Sequence, residues 1–125
     1  MMKILYAEDE EDIRTIAKIA LEDIGGFTVS YCQNGEEVLS AIDEFQPDLL
    51  LLDVMMPGMD GPATLKKLRE RPAFKTLPAI FMTAKIQPNE IAQYQEMGVI
   101  DVIAKPFDPM MLADTIRAAW DKRGH

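Results

Sequence analysis

The sequence predicts an α/β fold in which helices cover both faces of a five-stranded parallel sheet. The first observation is that short apolar segments alternate with amphipathic helical patterns along the 125 residues. This alternation is typical of strand–helix units joined by right-handed crossovers. The second is that residues 49–52 are four consecutive leucines, as expected of a strand that is buried on both faces. A chain of this length is enough for one domain, residues 1–125.

The first half of the chain contains two strands and two helices. Residues 4–7 are apolar and predict the first strand. Apolar residues then follow helical spacing from Glu10, and Gly25 and Gly26 mark the end of that helix. Residues 27–32 predict the second strand. A second helix ends before Pro47, because the residue before a proline disfavours helical geometry.

The second half continues the alternation with three strands and three helices. The leucine strand is followed by a helix over residues 61–71 and a strand over Ala79–Thr83. A helix over residues 88–97 precedes a short strand over residues 102–104. The apolar positions of a final helix are Leu112, Ile116, Ala119 and Trp120.

Composition excludes several classes of function. The 21 acidic and 13 basic residues give a net charge of −8, which argues against a nucleic-acid surface. The sequence shows no secretory signal and no run of ~20 apolar residues that would span a bilayer. A single cysteine, Cys32, is consistent with a reducing compartment. We therefore expect a cytoplasmic protein without a membrane segment.

Polar residues follow the apolar strands in a pattern that predicts one site. Glu8 and Asp9 follow the first strand, Asp53 the third, Thr83 ends the fourth and Lys105 follows the fifth. Ligands of open parallel sheets bind at the carboxyl ends of the strands. Each residue alone has a simpler explanation, as an acidic helix start, a turn residue, a strand end or a surface lysine. Their joint occurrence favours a site.

The chemistry of these side chains points to phosphoryl transfer. Two like charges ~4 Å apart cost about 4 kcal/mol at an effective dielectric of 20, so clustered acids need compensation. Lys105 supplies one positive charge, and Mg²⁺ suits an all-oxygen site. The chain has a single cysteine, Cys32, and a single histidine, His125 at its last position, so a zinc or copper site is not expected. A carboxylate such as Asp53 can act as a nucleophile and form an aspartyl phosphate, and Thr83 can add a hydrogen bond.

The chain resembles the receiver domain of two-component response regulators over essentially its full length. The resemblance rests on four segments, which are residues 4–10, residues 47–61, residues 78–84 and Lys105-Pro106-Phe107. It implies a flavodoxin-like fold with the strand order 2-1-3-4-5, like that of single-domain chemotaxis regulators. It also implies a cis peptide bond before Pro106, since X–Pro bonds tolerate cis cheaply.

The resemblance implies a role for each residue of the site. Asp53 is the phosphoacceptor, and Thr83 and Lys105 assist it. Glu8, Asp9 and Asp53 bind Mg²⁺ together with the backbone carbonyl of Met55. The phosphoryl donor is a sensor histidine kinase or a phosphotransfer protein, and an unknown downstream protein receives the signal. The domain is then a phosphoacceptor rather than an enzyme, and a monomer or weak dimer.

Two positions depart from the family pattern. Val102 stands where the family usually has an aromatic switch residue, and a β-branched valine cannot swing between buried and exposed positions. Thr115 stands where regulators with a winged-helix DNA-binding domain carry a basic residue on the last helix. The usual coupling to output and the dimer geometry of that subfamily are therefore not implied.

Three rival interpretations use the same fold or the same nucleophile. A haloacid-dehalogenase-type phosphatase needs a second aspartate two residues after Asp53, and Met55 occupies that position. A flavin-binding module needs a small-residue phosphate loop after the first strand, where residues 8–11 are acidic. A phosphorylation-independent interaction domain is favoured by Val102 and disfavoured by the intact set of site residues.

Overall fold

The computed structural model describes residues 2–123, so Met1, Gly124 and His125 of the predicted domain lie outside the described part. Five parallel strands form one sheet in the order β2-β1-β3-β4-β5. The predicted flavodoxin-like fold and its strand order are therefore confirmed. The strands are β1 (Lys3–Ala7), β2 (Thr28–Cys32), β3 (Leu49–Asp53), β4 (Ala79–Thr83) and β5 (Val99–Ala104).

Helices cover both faces of this sheet. They are α1 (Glu11–Lys18), α2 (Gly35–Phe45), α3 (Gly61–Arg69), α4 (Pro88–Glu96) and α5 (Leu112–Lys122). The apolar side chains of α1 and α5 pack on one face, and those of α2, α3 and α4 pack on the other. Within residues 2–123, no helix combines the length and the apolar character that crossing a membrane requires.

The central strand β3 fixes the position of the predicted nucleophile. Its four leucines have no exposed surface. Leu50 and Leu52 belong to one apolar core, and Leu49 and Leu51 belong to the other. Burial of a leucine side chain contributes about 1.5–3 kcal/mol, so this strand is held firmly in the middle of the sheet. Its last residue, Asp53, therefore has a defined place at the carboxyl edge.

The start of β5 and the end of α3 differ from the prediction by two residues or more. β5 begins at Val99 rather than at residue 102, because the pairing with β4 changes register and then continues with Asp101 opposite Ile80. The polar Asp101 interrupts the apolar pattern on which the prediction relied. α3 ends at Arg69 rather than at residue 71, since Pro72 begins a short 3₁₀ turn and disfavours helix before it.

The first helix changes its winding before it ends. After α1 the chain continues as a π-helical segment, Ile19–Ile24, which the apolar spacing did not predict. The N–H of Gly25 donates to the carbonyl of Ala20, five residues back, at 3.1 Å. A β-carbon at Gly25 would lie 2.9 Å from the Cβ of Ala113 on α5. The helix therefore ends where expected, in a wider turn that passes close to α5.

Candidate functional site

The carboxyl edge of the sheet brings together residues that are far apart in the sequence. β1 and β3 are neighbours, with Ala7 opposite Leu52. Glu8 and Asp53 directly follow these two paired residues, so both side chains stand at the same edge. Lys105 directly follows β5, and its backbone N–H donates to the carbonyl of Thr83 at 2.9 Å. This hydrogen bond ties the start of the Lys105 loop to the end of β4.

Three carboxylates form a cluster at this edge. Glu8, Asp9 and Asp53 each offer an oxygen, and the three oxygens lie within 4.8 Å of one another. Glu8 is 0% exposed and Asp53 is 2% exposed, while Asp9 is the most accessible of the three. Backbone N–H groups support two of them: Glu10 donates to Glu8 Oε2 at 3.2 Å, and Met55 donates to Asp53 Oδ1 at 3.3 Å. Such an oxygen set can hold a hard divalent cation.

Lys105 bridges the two buried carboxylates. Its Nζ donates to Glu8 Oε1 at 2.9 Å and to Asp53 Oδ2 at 3.1 Å. Burial alone would lower the pKa of Lys105, but the hydrogen bonds and negative charges of Glu8 and Asp53 outweigh burial and raise it. Lys105 is therefore a fixed positive charge. It compensates part of the repulsion that the sequence predicted for this cluster.

Burial has the opposite consequence for Glu8. Removal from water raises the pKa of Glu8 from 4.5 to about 7, and the negative charge of Asp53 adds to the rise. The hydrogen bonds from Lys105 and from the Glu10 N–H oppose this rise without cancelling it. In the metal-free protein, Glu8 therefore titrates close to neutral pH.

Thr83 ends the strand beside Asp53, and its hydroxyl bonds to its own loop. In the sheet, Met82 lies opposite Asp53, which puts Thr83 one residue beyond the nucleophile. The Thr83 hydroxyl donates to the carbonyl of Lys85 at 3.1 Å and accepts from the N–H of Lys85 at 3.2 Å. The structure thus brings Glu8, Asp53 and Lys105 into contact and leaves the Thr83 hydroxyl bonded to its own loop.

The aromatic side chain next to β4 comes from a helix rather than from β5. Val102 is partly buried opposite Phe81 and packs against the core. Tyr94 of α4 lies edge-on to Phe81, with ring centroids 4.8 Å apart and planes at 82°. Its hydroxyl donates to Glu90 at 3.1 Å. The sequence analysis did not single out Tyr94, although the residue lies within the helix predicted over residues 88–97.

Two further residues beneath the cluster were also missed by the sequence analysis. Arg14 of α1 donates from Nη1 to the backbone carbonyl of Glu8 at 2.7 Å. Tyr6 of β1 is fully buried, and its hydroxyl has no hydrogen-bond partner among residues 2–123. Burial, reinforced by the charges of Glu8 and Asp53, raises the pKa of Tyr6. The one sequence signal for Arg14 was its place as the first basic residue after an acidic run.

Comparison with known proteins matches most of the chain to one family. The family model described as the response regulator receiver domain matches residues 4–117. The transcriptional regulatory protein CseB of Streptomyces avermitilis is 35% identical over 122 residues, which are 98% of this chain and 50% of CseB. The DNA-binding transcriptional regulator NtrC of Salmonella typhimurium is 40% identical over 105 residues, which are 84% of this chain and 22% of NtrC.

Solved structures give the same picture of the fold. The chemotaxis protein CheY4 of Vibrio cholerae superposes with a TM-score of 0.88 at 28% sequence identity. That superposition covers 95% of this chain and 98% of the CheY4 chain. The curated relatives CseB and NtrC are longer, and this chain spans half of the first and about a fifth of the second.

Proposed function

This chain belongs to the response regulator receiver domain family of two-component systems, and on that premise we propose that it is a phosphorylation-dependent signalling switch. A sensor histidine kinase or a phosphotransfer protein donates a phosphoryl group from a phosphohistidine to Asp53. The phosphorylated domain then presents a changed surface to a downstream protein. The proposal takes residues 1–125 as one receiver domain.

The contact between Asp53 and Lys105 is the observation that carries the proposal. Asp53 Oδ2 lies 3.1 Å from Lys105 Nζ at the edge of the sheet. In the proposed reaction a carboxylate oxygen of Asp53 attacks phosphorus, and the bond from phosphorus to the histidine nitrogen breaks with its electron pair going to that nitrogen. The imidazole leaves as the neutral ring, keeping the proton that its other nitrogen already carries. Phosphoryl transfer depends mainly on positioning and on charge stabilisation. The Lys105 ammonium supplies a fixed positive charge for the phosphoryl oxygens.

The cluster of acidic oxygens supports Mg²⁺ as the cofactor. Glu8, Asp9 and Asp53 each offer an oxygen within 4.8 Å of the others, and Mg²⁺ is typically bound by a few carboxylates with water in the remaining positions. Glu8, Asp9 and Asp53 would hold the ion together with the Met55 carbonyl. When bound, Mg²⁺ supplies positive charge to the transferring phosphoryl group. Every proposed ligand atom is an oxygen, which matches the preference of this ion.

Thr83 has the role of the moving part in this proposal. Its hydroxyl must leave the carbonyl and N–H of Lys85 before it can donate to a phosphoryl oxygen on Asp53. Residues 84–87, which follow it, are exposed. A shift of Thr83 would therefore be transmitted to this loop and to the start of α4. This gives the phosphoryl group a means of changing the protein surface.

The surface next to Lys105 suits a protein partner. An apolar cleft of about 380 Å³ opens there, and its lining includes Ile13, Ile16, Pro106 and Phe107. Ile16 is 45% exposed. Exposed apolar patches of this kind mark protein contacts, and the net charge of −8 does not suit nucleic acid. We propose a cytoplasmic monomer or weak dimer that acts as a phosphoacceptor and not as an enzyme with turnover.

Intact-mass measurement with a small phosphodonor tests the proposal. Wild-type protein incubated with acetyl phosphate and Mg²⁺ should gain one phosphoryl group. Asp53→Asn, and wild type with EDTA in place of Mg²⁺, should gain none. Asp60→Asn is the matched control, because Asp60 caps α3 in the same loop and asparagine also caps helices well. This control should be labelled like wild type.

Other outcomes would favour a different function. Labelling of Asp53→Asn at the wild-type level would contradict the assignment of the nucleophile. A wild-type protein that binds Mg²⁺ but takes no phosphoryl group would favour a phosphorylation-independent interaction domain, for which Val102 is the supporting observation. Steady hydrolysis of small phosphoesters would instead indicate an aspartate-nucleophile phosphatase.

A further inference from the structure

Glu8 and Asp9, the two proposed cation ligands that follow β1, are joined by a peptide group that is held by a side chain from α1. We propose that Arg14 is a positioning residue that orients Glu8 and Asp9 for Mg²⁺. This inference rests on the proposed function, because it assumes that the acidic cluster binds Mg²⁺. It goes further by adding a residue that contacts neither the ion nor the phosphoryl group.

The hydrogen bond of Arg14 acts on both carboxylate residues at once. Its Nη1 donates to the carbonyl oxygen of Glu8 at 2.7 Å, across six residues of sequence. That carbonyl belongs to the peptide group that joins Glu8 to Asp9. Because a peptide group is planar, a hydrogen bond to its oxygen also restrains the Cα atoms of both residues. One guanidinium therefore restrains the backbone from which both carboxylate side chains extend.

This segment needs an external support. Residues 8–12 are all acidic, and their charges repel one another. The residue before α1, Glu10, makes no side-chain capping bond. In the described part of the chain, Arg14 is the one basic side chain that hydrogen-bonds to the backbone of this acidic run. Without it, the Glu8–Asp9 peptide group would lose its hydrogen bond to α1.

Arg14 has two effects on cation binding, and they oppose each other. Its positive charge repels a cation and weakens binding. Its hydrogen bond orders the ligands and strengthens binding, and partners outside the ligand shell typically change metal affinity 10–100-fold. The short charge-assisted hydrogen bond to Glu8 favours the second effect. The sign of the change on removing Arg14 therefore identifies which effect dominates.

A comparison of two cations separates positioning from charge. Mg²⁺ requires nearly ideal octahedral geometry, whereas Ca²⁺ accepts irregular ligand sets. A change in charge alters the affinity for both divalent ions alike. A loss of ligand order weakens the binding of Mg²⁺ more than the binding of Ca²⁺, so the ratio of the two affinities measures ligand order.

The experiment measures Mg²⁺ and Ca²⁺ binding by isothermal titration calorimetry on three variants of the full chain. Arg14→Met keeps most of the apolar stem and removes the charge and the donors. Arg14→Lys keeps the charge and one donor. Lys18→Met removes the same charge from the next turn of α1, where Lys18 is exposed, and is the charge control. Urea unfolding without divalent ions checks that each variant folds, and Arg14→Gln replaces Arg14→Met if the latter does not.

We expect Arg14→Met to weaken Mg²⁺ binding about tenfold and Ca²⁺ binding by a smaller factor. Arg14→Lys should restore most of the Mg²⁺ affinity, and Lys18→Met should not weaken it. Unchanged or tighter Mg²⁺ binding by Arg14→Met would overturn the inference, and so would equal losses for both ions. If the wild-type protein binds no Mg²⁺, the cofactor of the proposed function is wrong. That result is distinct from one in which wild type binds Mg²⁺ and the Arg14 variants bind it equally well, which would contradict only the role of Arg14.

Discussion

The two halves of the site are built differently. Glu8, Asp53 and Lys105, which we call the charged half, are largely buried and bond to one another at 2.9 and 3.1 Å. Thr83 and residues 84–87, which we call the hydroxyl half, are joined to the charged half by the backbone hydrogen bond from Lys105 to the Thr83 carbonyl, and the Thr83 hydroxyl bonds to Lys85. The charged half is therefore already arranged for phosphoryl transfer, whereas the hydroxyl half must rearrange before Thr83 can reach a phosphoryl oxygen.

The same difference separates stability from switching. Buried charges that pair with each other become costly when one of them is removed, so the charged half resists change. The hydroxyl half loses only two local hydrogen bonds when Thr83 moves, and water can replace them at the exposed loop. Moving Thr83 towards a phosphoryl group on Asp53 should therefore cost little free energy. The following predictions test this division.

Removal of Lys105 should have the largest effect. Lys105→Met leaves the buried carboxylates of Glu8 and Asp53 without their shared cation, and we expect a loss of about 3–5 kcal/mol in the free energy of unfolding. Urea unfolding without divalent ions measures it. Arg71→Met is the control, because Arg71 pairs with Asp43 on the exposed surface and should cost less than about 1 kcal/mol. Equal losses for the two variants would show that the charged half is not a buried network.

The pH dependence of stability should reveal Glu8. Its pKa is about 7 in the folded protein and 4.5 in the unfolded chain, so between these values the folded state holds a proton that the unfolded state has released. Stability of the metal-free protein should therefore fall as pH rises from 5.5 to about 7, by at most about 1.4 kcal/mol per pH unit. Unfolding curves at several pH values measure this slope.

Glu8→Gln isolates the contribution of Glu8 to that slope. Other carboxylates contribute in the opposite direction, so the informative quantity is the difference between the wild-type and variant profiles. This difference should decrease as pH rises towards about 7. A difference that stays constant with pH would mean that Glu8 is not a buried acid with a raised pKa.

Thr83→Ala should have the smallest effect on stability. The variant loses the two hydrogen bonds to Lys85, and we expect a cost of about 1 kcal/mol by thermal or urea unfolding. Thr115→Ala, which removes a helical hydroxyl bonded to the carbonyl of Met111, is the control and should change stability little, because the higher helix propensity of alanine offsets the lost hydrogen bond. A loss for Thr83→Ala as large as that for Lys105→Met would contradict the division into two halves.

The fold was predictable because burial decides most of it. The leucines of β3 and the apolar spacing of the helices predicted the strands, the helices and the faces that they bury, whereas the order of the strands came from the resemblance to receiver domains. The start of β5 was not predictable, because Asp101 interrupts its apolar pattern. The register change near Ile80 is a property of the pairing between β4 and β5, so it cannot be read from either strand alone. The π-helical segment Ile19–Ile24 was not predicted either, and it ends at Gly25, which packs closely against Ala113 of α5.

The site was predictable to the extent that strand ends determine it. The positions of Glu8, Asp53 and Lys105 follow from the strands that carry them, so the sequence predicted their proximity. The direction of the Thr83 hydroxyl depends on the conformation of its loop, which no pattern of residue types encodes. The hydrogen bond from Arg14 to the Glu8 carbonyl is likewise invisible in sequence, because the acceptor is backbone.

Amide NMR with a phosphoryl mimic tests the central claim most directly. Spectra of the Mg²⁺-bound protein with and without beryllofluoride should differ most over Thr83, residues 84–87 and the first turn of α4. β5 should change little, because Val102 has no aromatic ring to move and the ring beside Phe81 belongs to Tyr94 of α4. Large shifts centred on Val102 and Ile103, with Thr83 and residues 84–87 unchanged, would contradict the account.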